Sequence, residues 1–203
     1  MELNPKTLSK SENYQLLIGS VLPRPIAFVT SENKDGILNG APFSFYNVVC
    51  ADPPLISISI GRKRDGSLKD TSRNIQEHGE FVVHLVDEDN VTEVNGAAAS
   101  LPPDVSEITQ VRMTPVKSHV VHVRGVKEAK IRLECKLHQV IPLGGTTEQP
   151  QTDLIIGEVV HYVIDDQYIE NNRLNTDNLN PVSRLGKTEY AELGTRFSLD
   201  RPK

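Results

Sequence analysis

The chain has 203 residues, 37% of them hydrophobic and 24% charged, which suits one ordinary globular domain spanning 1–203. Its formal net charge of −5 speaks against a general nucleic-acid binder, which needs a broad basic face. No apolar run reaches the roughly 18 residues of a membrane span, and the opening MELNPKTLSKSENYQLL lacks the pattern of a secretory leader, so a cytoplasmic protein with no membrane partner is expected.

Ser9 and Glu12 have the spacing of a capping box, so a short helix is expected from there, stopped by Pro23. The run 25-PIAFVT-30 reads as a strand and Asn33-Lys34-Asp35-Gly36 as a turn. The following 37-ILNGAPFSFYNVV-49 reads as one continuous returning strand, ended by Asp52-Pro53-Pro54. In 55-LISISI-60 the pattern alternates: Ile56, Ile58 and Ile60 share one face, and Leu55, Ser57 and Ser59 share the other. The small hydroxyl side chains either face water or leave room for something flat.

The segment 61-GRKRDGSLKDTSRNI-75 concentrates cations and small hydroxyl residues. Gly61 and Gly66 imitate a nucleotide-binding loop, but Ser67 stands where that loop requires lysine, which excludes a P-loop nucleoside triphosphatase. A helix is expected over 70–79, with Asp70 as N-cap and Gly79 beyond its C-terminus. Lys69-Asp70-Thr71 then lies at a helix N-terminus, where free N–H groups and a partial positive charge attract phosphate. Lys69 would add a full charge and Thr71 a hydroxyl. The alternative is a solvated basic loop in which Asp70 merely caps the helix.

Further along, 80-EFVVHLVD-87 reads as a strand, 89–100 as a helix, and 101–116 as an irregular stretch with a helical turn. Long strands follow at 131–141 and 154–165. Strict alternation in the first would put Ile131, Leu133, Cys135, Leu137, Gln139 and Ile141 on one side, and Arg132, Glu134, Lys136 and His138 on the other. Residues after Asp166 are polar and expected to be irregular. Many strands with few helices indicate a β-barrel or sandwich. His84, His138 and His161 show no convergent spacing, so no metal site is expected. Cys50 and Cys135 form no CxxC and are expected as reduced thiols, Cys50 simply packed.

Arg24-Pro25, Thr30, the run Asn39 to Asn47, Asp52-Pro53-Pro54, Lys69-Asp70-Thr71 with Asn74-Ile75, and the tail 181-PVSRLGKTEYAELGTRF-197 occur in an order that resembles the flavin reductase-like family of FMN-binding split barrels, in the branch that includes flavoredoxin. The resemblance implies a mainly β, Greek-key split β-barrel with a few short helices. It also implies a homodimer with FMN near the interface. Carried onto this chain, Ser44, Phe45, Tyr46 and Asn47 would contact the flavin ring and ribityl chain, and Ser57 and Ser59 would line the site. Lys69 and Thr71 would hold the phosphate, Asp70 would organise the helix start, and Thr30 and Arg64 would contribute. The implied activity passes hydride from NAD(P)H to flavin and on to a flavin or other electron acceptor. The alternative is a non-catalytic FMN-binding electron carrier or flavin store. No catalytic residue is fixed; His161 is a candidate for approaching nicotinamide, and Tyr190 either closes over the flavin or anchors the tail.

Overall fold

A computed structural model describes residues 1–202. The first helix, α1 (Lys10–Ser20), starts where the capping box predicts: Ser9 Oγ accepts from Glu12 N, and the Glu12 carboxylate accepts from Ser9 N at 2.7 Å. Next come the short β1 (Arg24–Pro25) and β2 (Ala27–Glu32). The Asn33 side chain accepts from Asp35 N and Ile37 N and turns the chain into β3 (Leu38–Phe43).

The single strand expected over 37–49 is two strands. After β3 the chain bends at Ser44–Phe45 and resumes as β4 (Tyr46–Ala51), which pairs with β5 (Pro54–Gly61) and not with β2. Ser59 N donates to Phe45 O at 2.8 Å, drawing the corner toward β5. β-forming residues run through both halves, so periodicity carries no mark of the corner.

The helix α2 (Asp70–His78), the strand β6 (Glu80–Leu85) and the short helix α3 (Val91–Gly96) follow. The small pair β7 (Pro115–Val116) and β8 (Gly125–Val126) precedes the long hairpin β9 (Ile131–Leu143) and β10 (Thr152–Ile164). Two more short pairs finish the chain: β11 (Ile169–Glu170) with β12 (Arg173–Leu174), and β13 (Ser183–Arg184) with β14 (Tyr190–Ala191). β13 also pairs with β1 and straps the tail to the body.

The main sheet is seven-stranded and antiparallel, in the order β3-β2-β6-β9-β10-β5-β4. Its two edge strands are consecutive in the chain, joined only by Ser44–Phe45. The sheet therefore curls into a barrel left unzipped along one seam, a split β-barrel as expected. Its interior holds Val29, Ile58, Ile60, Phe81, Cys135 and Ile155, plugged by Ile75 of α2. The serine-bearing strand behaves as its alternation predicts, with Ile56, Ile58 and Ile60 buried and Ser57 and Ser59 half-exposed.

A second core lies outside the barrel. Phe28 and Val82 face it, and Val94 of α3, Ile108 and the 121–126 segment cover it. This cover explains a departure from the alternation expected in β9. Glu134 is buried, because the overlying loop donates three backbone N–H groups to its carboxylate, from His119, Val120 and Val121. The same loop is pinned by Glu80, which accepts from His122 N, and by Glu32, which accepts from Arg124 N. Farther along β9 the register slips where Leu137 faces Gly157 and Gln139 faces Ile156, so His138 is bulged and Gln139 is exposed.

Candidate functional site

Gly79, in the left-handed region at φ +71°, ends α2 as expected. At the other end the N-cap is Lys69, and Asp70 is the first helical residue. The expected Asp70 cap is absent because that carboxylate pairs with Arg73 at 2.6 Å and with Lys63 at 3.5 Å. The first-turn N–H groups of Asp70, Thr71 and Ser72 precede the first intrahelical bond, from Arg73 N to Lys69 O, and no side chain caps them. Among the described residues Lys69 makes no ion pair.

This helix end opens into a cleft of about 420 Å³, within the usual range for small-molecule sites. Lys63, Lys69 and Thr71 line one wall; Asn39, Ala41 and Phe43 of β3 line another, and 97–101 closes the third. Thr71 is buried and its hydroxyl donates to Asn39 Oδ1 at 2.7 Å. Asn39 Nδ2 and Gly40 N both donate to Glu107 Oε2, at 2.9 and 3.2 Å. Burial pushes the Glu107 carboxyl above its ordinary range.

The loop that carries the cations is held from below. Arg62 grips Asp153 through two nitrogens, at 2.7 and 3.2 Å, and Ser72 Oγ donates to the same carboxylate. Asp153 is only 1% exposed, so the cationic loop is tied to β10 by an ion pair and, through Ser72, to α2.

A second cleft, of about 250 Å³, lies on the far side of Pro42, Phe43 and Ala98, which line both. Ser44, Tyr14 and Tyr190 also line it. The Tyr190 hydroxyl donates to Asn95 Oδ1 at 2.9 Å, and the Arg184 guanidinium sits 4.5 Å from the Tyr190 ring centre.

The structure thus gathers Lys69, Asp70, Thr71 and, across the Pro42–Phe43 wall, Ser44. Other predicted positions lie elsewhere in the single chain. Thr30 is fully buried and donates to Arg124 O, so its hydroxyl serves the outer cover. Tyr46 packs against the barrel core, and desolvation pushes its phenol up to about 12. Asn47 is exposed and its Oδ1 accepts from Val48 N; Phe45 is exposed beside Tyr14, at 6.5 Å between rings. Ser57 bonds Asn47 O and Ser59 bonds Thr152, and neither lines the two clefts. Arg64 opens instead onto a third cleft with Lys10 and Glu148. His161 sits opposite Glu134 and stacks on His119 at 5.2 Å, away from both clefts. Cys50 and Cys135 are free thiols, and burial pushes Cys135 up. Sequence reasoning missed Lys63, Asn39 and Glu107; the Asn39-Gly40 pair was visible, but its acidic partner is 67 residues away from Gly40.

No group of three or more potential metal ligands occurs among the described residues, and no helix there is long and apolar enough to cross a membrane. Three solved structures are similar. Nitrilotriacetate monooxygenase component B from Bacillus cereus is 51% identical, with 98% of each chain covered and a TM-score of 0.96. The 2-nitrobenzoate 2-nitroreductase of Pseudomonas fluorescens is 32% identical, covering 100% of this chain and 96% of that one, with a TM-score of 0.89. Flavoredoxin of Desulfovibrio vulgaris (Miyazaki F) shares the fold, with a TM-score of 0.77, 20% identity and coverage of 98% and 97%. Residues 18–178 match the flavin reductase like domain, and this split-barrel chain belongs to that family.

Proposed function

We propose that the cleft at the head of α2 holds FMN, with its phosphate at the N-terminus of that helix. The observation that carries this reading is the uncapped first turn of α2 beside the unpaired Lys69. Free N–H groups, the helix dipole and one full charge converge there. Lys63 adds a second cation, and Asp70 is neutralised by its two partners. The donor set fits a phosphate dianion, and the roughly 420 Å³ cleft suits a mononucleotide. Its flavin ring would reach the Pro42–Phe43 wall, where the second cleft meets the first.

When bound, FMN supplies hydride and electron transfer, accepting from NAD(P)H and passing to an acceptor. The protein binds, orients and shields. Lys69, Lys63 and the α2 N–H groups would hold the phosphate, while the Arg62–Asp153 pair holds their loop in place. Pro42 and Phe43 border both clefts and would face the flavin ring, with Ser44 next to them in the second cleft. The similar nitroreductase and monooxygenase component support an enzyme over a carrier.

A homodimer fits the surface. The edge strand β4 exposes Val48 and Val49, at 71% and 52%, next to Phe45 and Tyr14. An unpaired, apolar edge of this kind calls for a cover, and a second copy would place it beside the clefts. The direct test is a visible spectrum of the purified protein with and without added FMN, followed by anaerobic NADH or NADPH. Retained FMN that bleaches supports the reading; retained FMN that neither nucleotide bleaches identifies a carrier; failure to take up FMN overturns it.

A further inference from the structure

The second cleft carries an unusual charge balance. Arg24, Arg184 and Lys187 line it, and among the described residues no aspartate or glutamate does. Arg24 is only 6% exposed. Its guanidinium bonds carbonyls alone: Nη1 donates to Ile18 O and Val21 O, at 2.6 and 2.7 Å, and Nη2 to Leu185 O at 2.6 Å. Its buried Nε has no partner among the described residues, and no carboxylate pairs with it. Among the described residues Arg184 also lacks an acidic partner; it bonds Lys187 O and lies over the Tyr190 ring. The nearest acid in sequence, Glu189, enters this turn through its backbone, donating to Gly186 O and accepting from Leu185 N.

A buried guanidinium without a counter-charge is costly, and an anion brought into the cleft relieves that cost. The remaining wall is flat and apolar, made of Tyr14, Ile26, Phe43 and Tyr190. At about 250 Å³ the space suits a single ring and is small for a dinucleotide. We infer that this cleft binds a small aromatic carboxylate, its carboxylate toward Arg184, Lys187 and the Arg24 charge, and its ring against the aromatic wall. The ligand would lie across Pro42–Phe43 from the flavin site, so the inference deepens the proposed function and rests on it for that ligand's redox role alone.

The test is calorimetric titration of the protein as purified with benzoate, benzamide and acetate. Benzoate is expected to bind at least about tenfold tighter than neutral benzamide, from a charge-assisted contact, and also tighter than acetate, which lacks the ring. Arg184→Ala and Lys187→Ala should each shrink the benzoate-to-benzamide ratio. Arg24→Lys, which keeps the charge, should preserve more of it than Arg24→Ala, whose fold is checked by circular dichroism. Equal binding of benzoate and benzamide, or of benzoate and acetate, overturns the assignment, as does a ratio unchanged in both Arg184→Ala and Lys187→Ala. Because heat of binding is read without the flavin signal, a protein that fails to take FMN still reports on this cleft.

Discussion

Acid should destabilise this protein through His84. His84 is buried between the barrel and its outer cover, Nδ1 donating to Phe28 O at 2.9 Å and Nε2 accepting from Val126 N at 3.0 Å. The ring is thus a neutral tautomer with both nitrogens engaged, and a second proton would set N–H against N–H. Burial, with Arg132 nearby, lowers its pKa from 6.5 to about 4. The folded value is depressed and the charged form is favoured on unfolding, so stability is complete above about pH 6.5 and falls as pH drops toward 4. At about 1.4 kcal/mol per pH unit, the loss across that window approaches about 3 kcal/mol. Urea unfolding at several pH values between 7.5 and 4 would read it, with His84→Gln as the control. Glutamine can donate to Phe28 O and accept from Val126 N but does not titrate. The reasoning is refuted if wild type and His84→Gln lose stability with the same pH slope through this window.

Lys69→Ala should weaken FMN by about 1.5–3 kcal/mol, one to two decades in affinity, and leave riboflavin nearly indifferent, as fluorescence titration would show. Asp153→Ala strands the Arg62 charge and should cost about 3–5 kcal/mol by denaturant unfolding, whereas replacing both partners by apolar residues should recover much of that. A Cβ at Gly157 would lie 2.3 Å from Phe81 Cζ, so Gly157→Ala should lower stability by about 1–3 kcal/mol through overpacking. Val48→Asp on the exposed edge should convert a dimer to monomer in light scattering after gel filtration; an unchanged mass would move the interface elsewhere.

Much of the scaffold was legible because local chemistry set it. Ser9 with Glu12, Gly79, and the Ile56-Ile58-Ile60 alternation each act within a few residues, and each appears where expected. Lys69 and Thr71 reach the cleft because a helix start is also a local feature. The departures come from contacts distant in sequence. Asp70 lost its cap role to Arg73 and Lys63, Glu134 was buried by a loop 13 to 15 residues upstream, and the corner at Ser44–Phe45 answers to Ser59. Arg24 stood in the sequence only as part of the Arg24-Pro25 landmark; the fold alone shows that α1 and the tail strap close over it.

The corner between β3 and β4 has a mechanical consequence. Because the first and last staves of the barrel are tied by a clasp of only two residues, their joined ends cannot drift apart by more than about 11 Å, three steps of about 3.6 Å from Phe43 to Tyr46. Breathing that admits a bulky cofactor is therefore left to the open length of the seam and to the segments beside it, the 97–101 stretch and the tail strap. At the clasp the staves stay hooped, so the wall shared by the two clefts would keep its girth while the rest of the seam moves.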